Sequence, residues 1–145
     1  MLKASEGLVF LALVVGLAPT PMLEAQPLRK VRIGDEVLRK RATRAMKPQF
    51  PETSLRRKAS GVAVAQVDIS DTGEVNSVKV LQAPDPETAA SMQAALKKWL
   101  FTPVTIDQKP LLMSGKVIFY FLIENGKGLV LSPAEVKERR EKTKR

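Results

Sequence analysis

Residues 61–103 read GVAVAQVDISDTGEVNSVKVLQAPDPETAASMQAALKKWLFTP. Within them, two β-type runs flank a tight polar turn, and a helix with one apolar face follows. Side chains alternate along a strand, so Ala63, Ala65, Val67 and Ile69 share one face while Val62, Val64, Gln66 and Asp68 share the other. Ser70-Asp71-Thr72-Gly73 is turn chemistry, short polar groups followed by a glycine free to take positive φ. Val78 and Val80 share one face of the second run, and Val75 falls out of phase, which predicts a bulge just after the turn. Asp85 can cap a helix whose first position is Pro86. Ala89, Met92, Ala95, Leu96 and Trp99 then recur at helical spacing. Trp99 and Phe101 read as core at the end of that helix, since aromatics dominate buried area.

Around this stretch stands an ordered series of motifs: Pro48-x-Phe50-Pro51, Gly61, Gly73-x-Val75, and Trp99-x-Phe101-x-Pro103. The series resembles the C-terminal domain of TonB-type energy transducers, from about Pro48 to Ile123. Leu100 departs from that family, which usually carries a basic residue between the two aromatics. The resemblance implies an α+β fold of two layers. A small antiparallel three-stranded sheet, the hairpin plus the last strand, would pack against a main helix and a short preceding one.

The last strand is expected over Leu112–Ile123, after a loop at Ile106–Pro110, and it is rich in β-branched and aromatic residues. Val117, Phe119, Phe121 and Ile123 would meet the helix. Ile118, Tyr120 and Leu122 point the other way and join Val62 and Val64 on a second apolar face, of a kind that meets a partner, a neighbouring subunit or another part of the chain. Before the hairpin, Pro51 suits a first helical position and Leu55 would anchor that turn to the core.

Four segments are expected along the chain. Residues 1–25 read as a signal peptide: Lys3 precedes the apolar run Leu8–Ala18, Pro19 and Pro21 break it, and Leu23-Glu24-Ala25 offers a cleavage site. That run falls short of the roughly 20 residues a spanning helix needs, although Glu6 fits a signal poorly and an uncleaved inner-membrane anchor is the alternative. Residues 26–47 are basic, with Val31 and Ile33 alternating as in an edge strand and Val37, Leu38, Ala42, Ala45 and Met46 as a weak helical stripe; their state stays open. Residues 48–125 are the TonB-like domain. Residues 126–145 form a charged tail, in which Leu129–Leu131 could make a brief strand. There Ser132-Pro133-Ala134-Glu135 has capping-box form, and a charged helix would follow and project.

The 145 residues suit one core, and the formal charge of +9 favours anionic partners. Histidine and cysteine are both absent, which removes disulfides, Cys/His metal sites and any His-based triad. No phosphate-binding glycine loop is present, and no nucleophile sits beside a base, so neither an enzyme, a metal nor a cofactor is expected.

The resemblance instead implies an exported binding module in the periplasm, gripping an extended peptide or envelope protein such as an outer-membrane receptor. In the family the last strand supplies the edge, which maps onto Ser114, Lys116, Ile118 and Tyr120. The residues Pro48, Phe50, Pro51, Gly61, Gly73, Trp99, Phe101 and Pro103 would hold the core and its motifs. A full transducer also needs a membrane histidine and a long Pro-rich spacer, and this sequence shows neither. The alternative is a basic protein that binds nucleic acid or anionic lipid surfaces through residues 29–47 and 137–145. Few aromatics are free to stack on bases, which argues against nucleic acid.

Overall fold

The computed structural model describes residues 27–145 and, ahead of them, Gly16 alone; the expected signal segment lies outside the described residues. The elements in chain order are β1 (Lys30–Ile33), α1 (Asp35–Arg41), β2 (Ala42–Arg44), α2 (Glu52–Arg56), β3 (Gly61–Ile69) and β4 (Val75–Gln82). They continue with α3 (Pro86–Leu96), β5 (Leu100–Phe101), β6 (Val104–Ile106), β7 (Lys109–Glu124), β8 (Lys127–Leu131) and α4 (Pro133–Thr143).

The hairpin and the main helix form as their residues dictate. β3 and β4 pair antiparallel with a register shift between Asp68 and Ile69, which places the bulge beside Val75. Gly73 takes φ +91 in the turn. In α3 the Asp85 carboxylate accepts from the Thr88 N–H at 2.8 Å, and the Thr88 hydroxyl takes the Asp85 N–H at 3.1 Å, closing a reciprocal cap. Thr88, Met92 and Leu96 are the fully buried positions of α3, with Trp99 one turn further on. Ala89 and Ala95 are only half-buried.

One apolar layer lies between α3 and the inner face of the sheet. Ala63, Ala65, Val67, Val117, Phe119, Phe121, Met92 and Leu96 are sealed from solvent, with Trp99 1% exposed. The Trp99 ring meets Phe119 edge-on at 6.1 Å and Phe101 tilted at 6.0 Å, and its indole N–H donates to the Met46 carbonyl at 2.8 Å. The polar tip is thus satisfied while the ring is buried. On the second face, Val62, Val64, Ile118, Tyr120 and Leu122 stay half-buried.

The sheet has six strands rather than three. β7, sixteen residues long, is its spine. β3 runs antiparallel along one side from Gly61↔Phe121 to Ile69↔Met113 without interruption. β1, β6 and β8 also pair with β7, at Leu112–Gly115, Lys109–Leu111 and Tyr120–Glu124. The loop expected at Ile106–Pro110 is a tight hairpin, because Asp107 and Gln108 both take positive φ, 51 and 61.

The basic segment is built into the domain. β1 forms where Val31 and Ile33 alternate, but the helical stripe stops short: α1 ends at Arg41, Leu38 alone is buried, and Val37 and Met46 are exposed. In α2 the buried residue is Ser54 rather than Leu55, because the Ser54 hydroxyl donates to Asp85 at 3.0 Å. α4 has its capping box at Ser132 and Glu135 and no buried residue. Two ion pairs, Lys47–Glu135 and Arg139–Glu124, tether it.

Candidate partner-binding edge of the sheet

In an antiparallel ladder, alternate residues turn their backbone groups to opposite neighbours. The Leu112 N–H donates to the Arg29 carbonyl at 3.0 Å, and the Ile118 N–H to the Asp35 carboxylate at 3.1 Å. Even-numbered residues of β7 therefore face away from β3. Ser114, Lys116, Ile118 and Tyr120 all belong to that set.

Each of the four meets something different on this edge. Ser114, 4% exposed, lies opposite Arg32 of β1, which runs parallel to β7. Lys116 is exposed and stands just beyond the end of β1. Ile118 is served by α1 side chains: its N–H reaches Asp35 and its carbonyl accepts from Arg39 Nη2 at 2.5 Å. Tyr120 lies opposite Leu131 of β8. The expected vacant edge is thus lined by the chain's own flanks, and the reason lies in the length of β7, which outruns any single neighbour.

Electrostatics hold the α1 contact in place. Arg39 Nε donates to Asp35 at 2.9 Å, one helical turn apart, with both side chains about one-fifth exposed. The guanidinium also lies over Phe119 at 4.5 Å and Trp99 at 5.7 Å, a desolvated cation–π arrangement. Lys30 of β1 reaches the Asp68 carboxylate at 2.6 Å. A groove of about 490 Å³ runs between Arg32–Asp35 and the side chains of Gln66, Ser114, Lys116 and Ile118. Asp35 and Arg39 carry a helix-spaced pair signature but nothing in the sequence that aims them at Ile118.

The motif residues occupy structural positions away from this edge. Pro48 is buried, and Phe50 packs edge-on to Phe121 at 5.6 Å. A Cβ on Gly128 would lie 2.5 Å from the Phe50 ring. Gly61 takes φ +151 beside Pro84, and Pro51 precedes α2 as its cap. The Gly73 carbonyl accepts from the Phe101 N–H at 2.9 Å, next to the exposed Pro103. At the α3 cap, burial works to raise the Asp85 pKa. Hydrogen bonds from Thr88, Ser54 and Arg57 outweigh it and hold the carboxyl well below its ordinary value.

Among the described residues no group of His, Cys, Asp or Glu could hold a metal ion, and no helix is long and apolar enough to cross a membrane.

The family model for the Gram-negative bacterial TonB protein C-terminal matches residues 46–123, more than half of the chain. The chain belongs to the TonB C-terminal family. Among solved structures, the solution NMR structure of the Pseudomonas aeruginosa TonB C-terminal domain matches with a TM-score of 0.50 and 24% identity, covering 58% of this chain and 86% of that one. That likeness shows the fold. No curated protein matches the chain. The TonB match spans α2 through all but the last residue of β7, so β1, α1 and β2 precede it and β8 and α4 follow it. Three of these five flanking elements, β1, α1 and β8, reach the same edge of β7, at Leu112–Gly115, Ile118 and Tyr120–Glu124. Leu100, where TonB domains usually carry a basic residue, is half-buried and bridges to Glu74.

Proposed function

We propose that this chain is a cell-envelope binding module that takes an extended peptide by strand addition along Ser114–Tyr120 of β7. One observation carries the reading. The edge facing away from β3 already receives an extended segment, β1, that lies outside the TonB match. Main-chain ladders supply affinity in such complexes, and side-chain pockets at alternate positions supply specificity. The partner class is an envelope protein or a segment of an outer-membrane receptor. The role is docking without catalysis. With residues 1–25 acting as a signal, the module works in the periplasm.

The Ile118 N–H bonds to Asp35 and not to β3, so Ile118→Pro removes one donor from the outer edge without deleting a rung of the β3 ladder. Peptide binding is expected to fall at least tenfold in Ile118→Pro and to change less than twofold in Ile118→Val. Binding that is insensitive to Ile118→Pro, in a protein with unchanged circular dichroism, refutes the reading.

A further inference from the structure

We propose that β1, together with the Asp35–Arg39 pair, is a strand in cis that occupies the partner's place on β7 and must leave before a partner can enter. This rests on the strand-addition reading above and adds its regulation and the chemistry of the peptide.

Three observations carry the idea. First, β1 is a complete pseudo-ligand. It is parallel to β7 over four residues, and its ladder is continued by side chains, since Asp35 and Arg39 satisfy both backbone groups of Ile118. Second, β7 is shaped for close approach there. A Cβ on Gly115 would lie 2.5 Å from the Ile33 carbonyl oxygen, so the site admits a backbone because residue 115 has no side chain. Third, the strand itself buries little. Lys30 and Arg32 are exposed, and Val31 and Ile33 are only half-buried. Gly34 joins β1 to α1 with nothing within 4 Å of its Cβ position, and it gives α1 no side-chain cap.

The cis strand also describes its replacement. Val31 and Ile33 alternate on the inward face, while Lys30 reaches Asp68 on the other. The partner is therefore an extended segment with apolar, preferably β-branched, residues at alternate positions. A Lys or Arg just before the first of them would pair with Asp68.

Occupancy in cis lowers apparent affinity by the fraction of molecules that are open. The probe is a fluorescein-labelled peptide of residues 27–34, PLRKVRIG, titrated against the full chain in three forms. One is unaltered. The second is opened by Val31→Pro with Asp35→Ala. The third is closed by an oxidised Arg32→Cys, Ser114→Cys pair, at facing positions in a chain that has no other cysteine. The opened form is expected to bind at least tenfold more tightly than the unaltered chain. The closed form is expected to lose binding until it is reduced. Trp99 emission checks that each form is folded, and the closed form remains a test even if the opened one unfolds. If all three bind alike and Ile118→Pro still abolishes binding, the edge reading stands and occupancy in cis is wrong. If no form binds, or the opened form is indifferent to Ile118→Pro, the edge reading falls and takes this inference with it. A probe with Glu in place of its Lys should bind at least threefold more weakly; equal binding removes the basic residue from the partner's description.

Discussion

The turn glycine Gly73 and the motif aromatic Phe101 touch through their backbones. The Phe101 N–H donates to the Gly73 carbonyl at 2.9 Å, and a Cβ on residue 73 would overlap the Phe101 carbonyl oxygen. Two motifs far apart in sequence are one contact in space. It fastens the β3–β4 turn to the strand that follows α3.

Gly73→Ala therefore meets two penalties at once, a φ of +91 and a collision with main chain that cannot rotate away. We expect a loss of about 3 kcal/mol or more, read from chemical denaturation. Gly126→Ala provides the contrast. Its φ is +73 but nothing lies within 4 Å, so only the conformational strain of about 1–2 kcal/mol should appear. Equal losses at the two positions would mean that the Phe101 contact contributes nothing.

Trp99 is the protein's one tryptophan and is 1% exposed, so native emission should be blue-shifted and shift red on unfolding. Trp99→Ala should lose about 3–5 kcal/mol through the cavity it leaves. Trp99→Phe keeps an aromatic ring on Phe119 but leaves the Met46 carbonyl without its donor, for a loss of about 1–3 kcal/mol. Solvent-like emission from the folded protein would contradict this placement.

The centre of the fold was legible because local signals and packing agree there. Alternation over Ala63–Ile69, the Asp85-Pro86 start and the Met92–Leu96–Trp99 stripe all point to one buried layer, which is where the structure puts them. The edge of the sheet was not legible. Val31 and Ile33 mark a strand but do not choose its neighbour, and the parallel pairing with Leu112–Gly115 joins segments about eighty residues apart. The β6–β7 hairpin was missed because Asp107-Gln108 turns without the glycine that usually announces such a turn. Ser54 was missed because its burial follows from one partner, Asp85, which no periodicity encodes. At the candidate edge the strand was legible from its β-branched and aromatic run, and the side chains that hold that edge, Asp35 and Arg39, were not.

Acid should loosen the start of α3. The folded-state pKa of Asp85 is depressed, so its contribution is complete above the ordinary Asp value of about 3.9 and is lost as pH falls through the lower folded value. Glu135 behaves alike: burial works to raise it, but Lys47 and Ser132 hold it at about 2. Unfolding free energy should be flat from about pH 7 to 5 as far as these two groups are concerned, and fall below about pH 4. In Asp85→Asn the Asp85 part of that slope should vanish. A slope unchanged by the substitution would place the acid sensitivity elsewhere.

Hydrogen exchange can test the α1 contact residue by residue. The amides of Val117 and Phe119 face β3, whereas that of Ile118 faces Asp35. Exchange from a native sheet reports how often each bond opens locally. Asp35→Ala leaves the β3 ladder intact and removes the acceptor of a charge-assisted bond worth about 1.5–3 kcal/mol. The Ile118 amide should therefore exchange at least tenfold faster in Asp35→Ala, with Val117 and Phe119 changing less than threefold. A uniform acceleration of all three would mean that Asp35 supports the whole sheet. No acceleration at Ile118 would mean that some other group covers this edge, and the side-chain continuation of the ladder would be wrong.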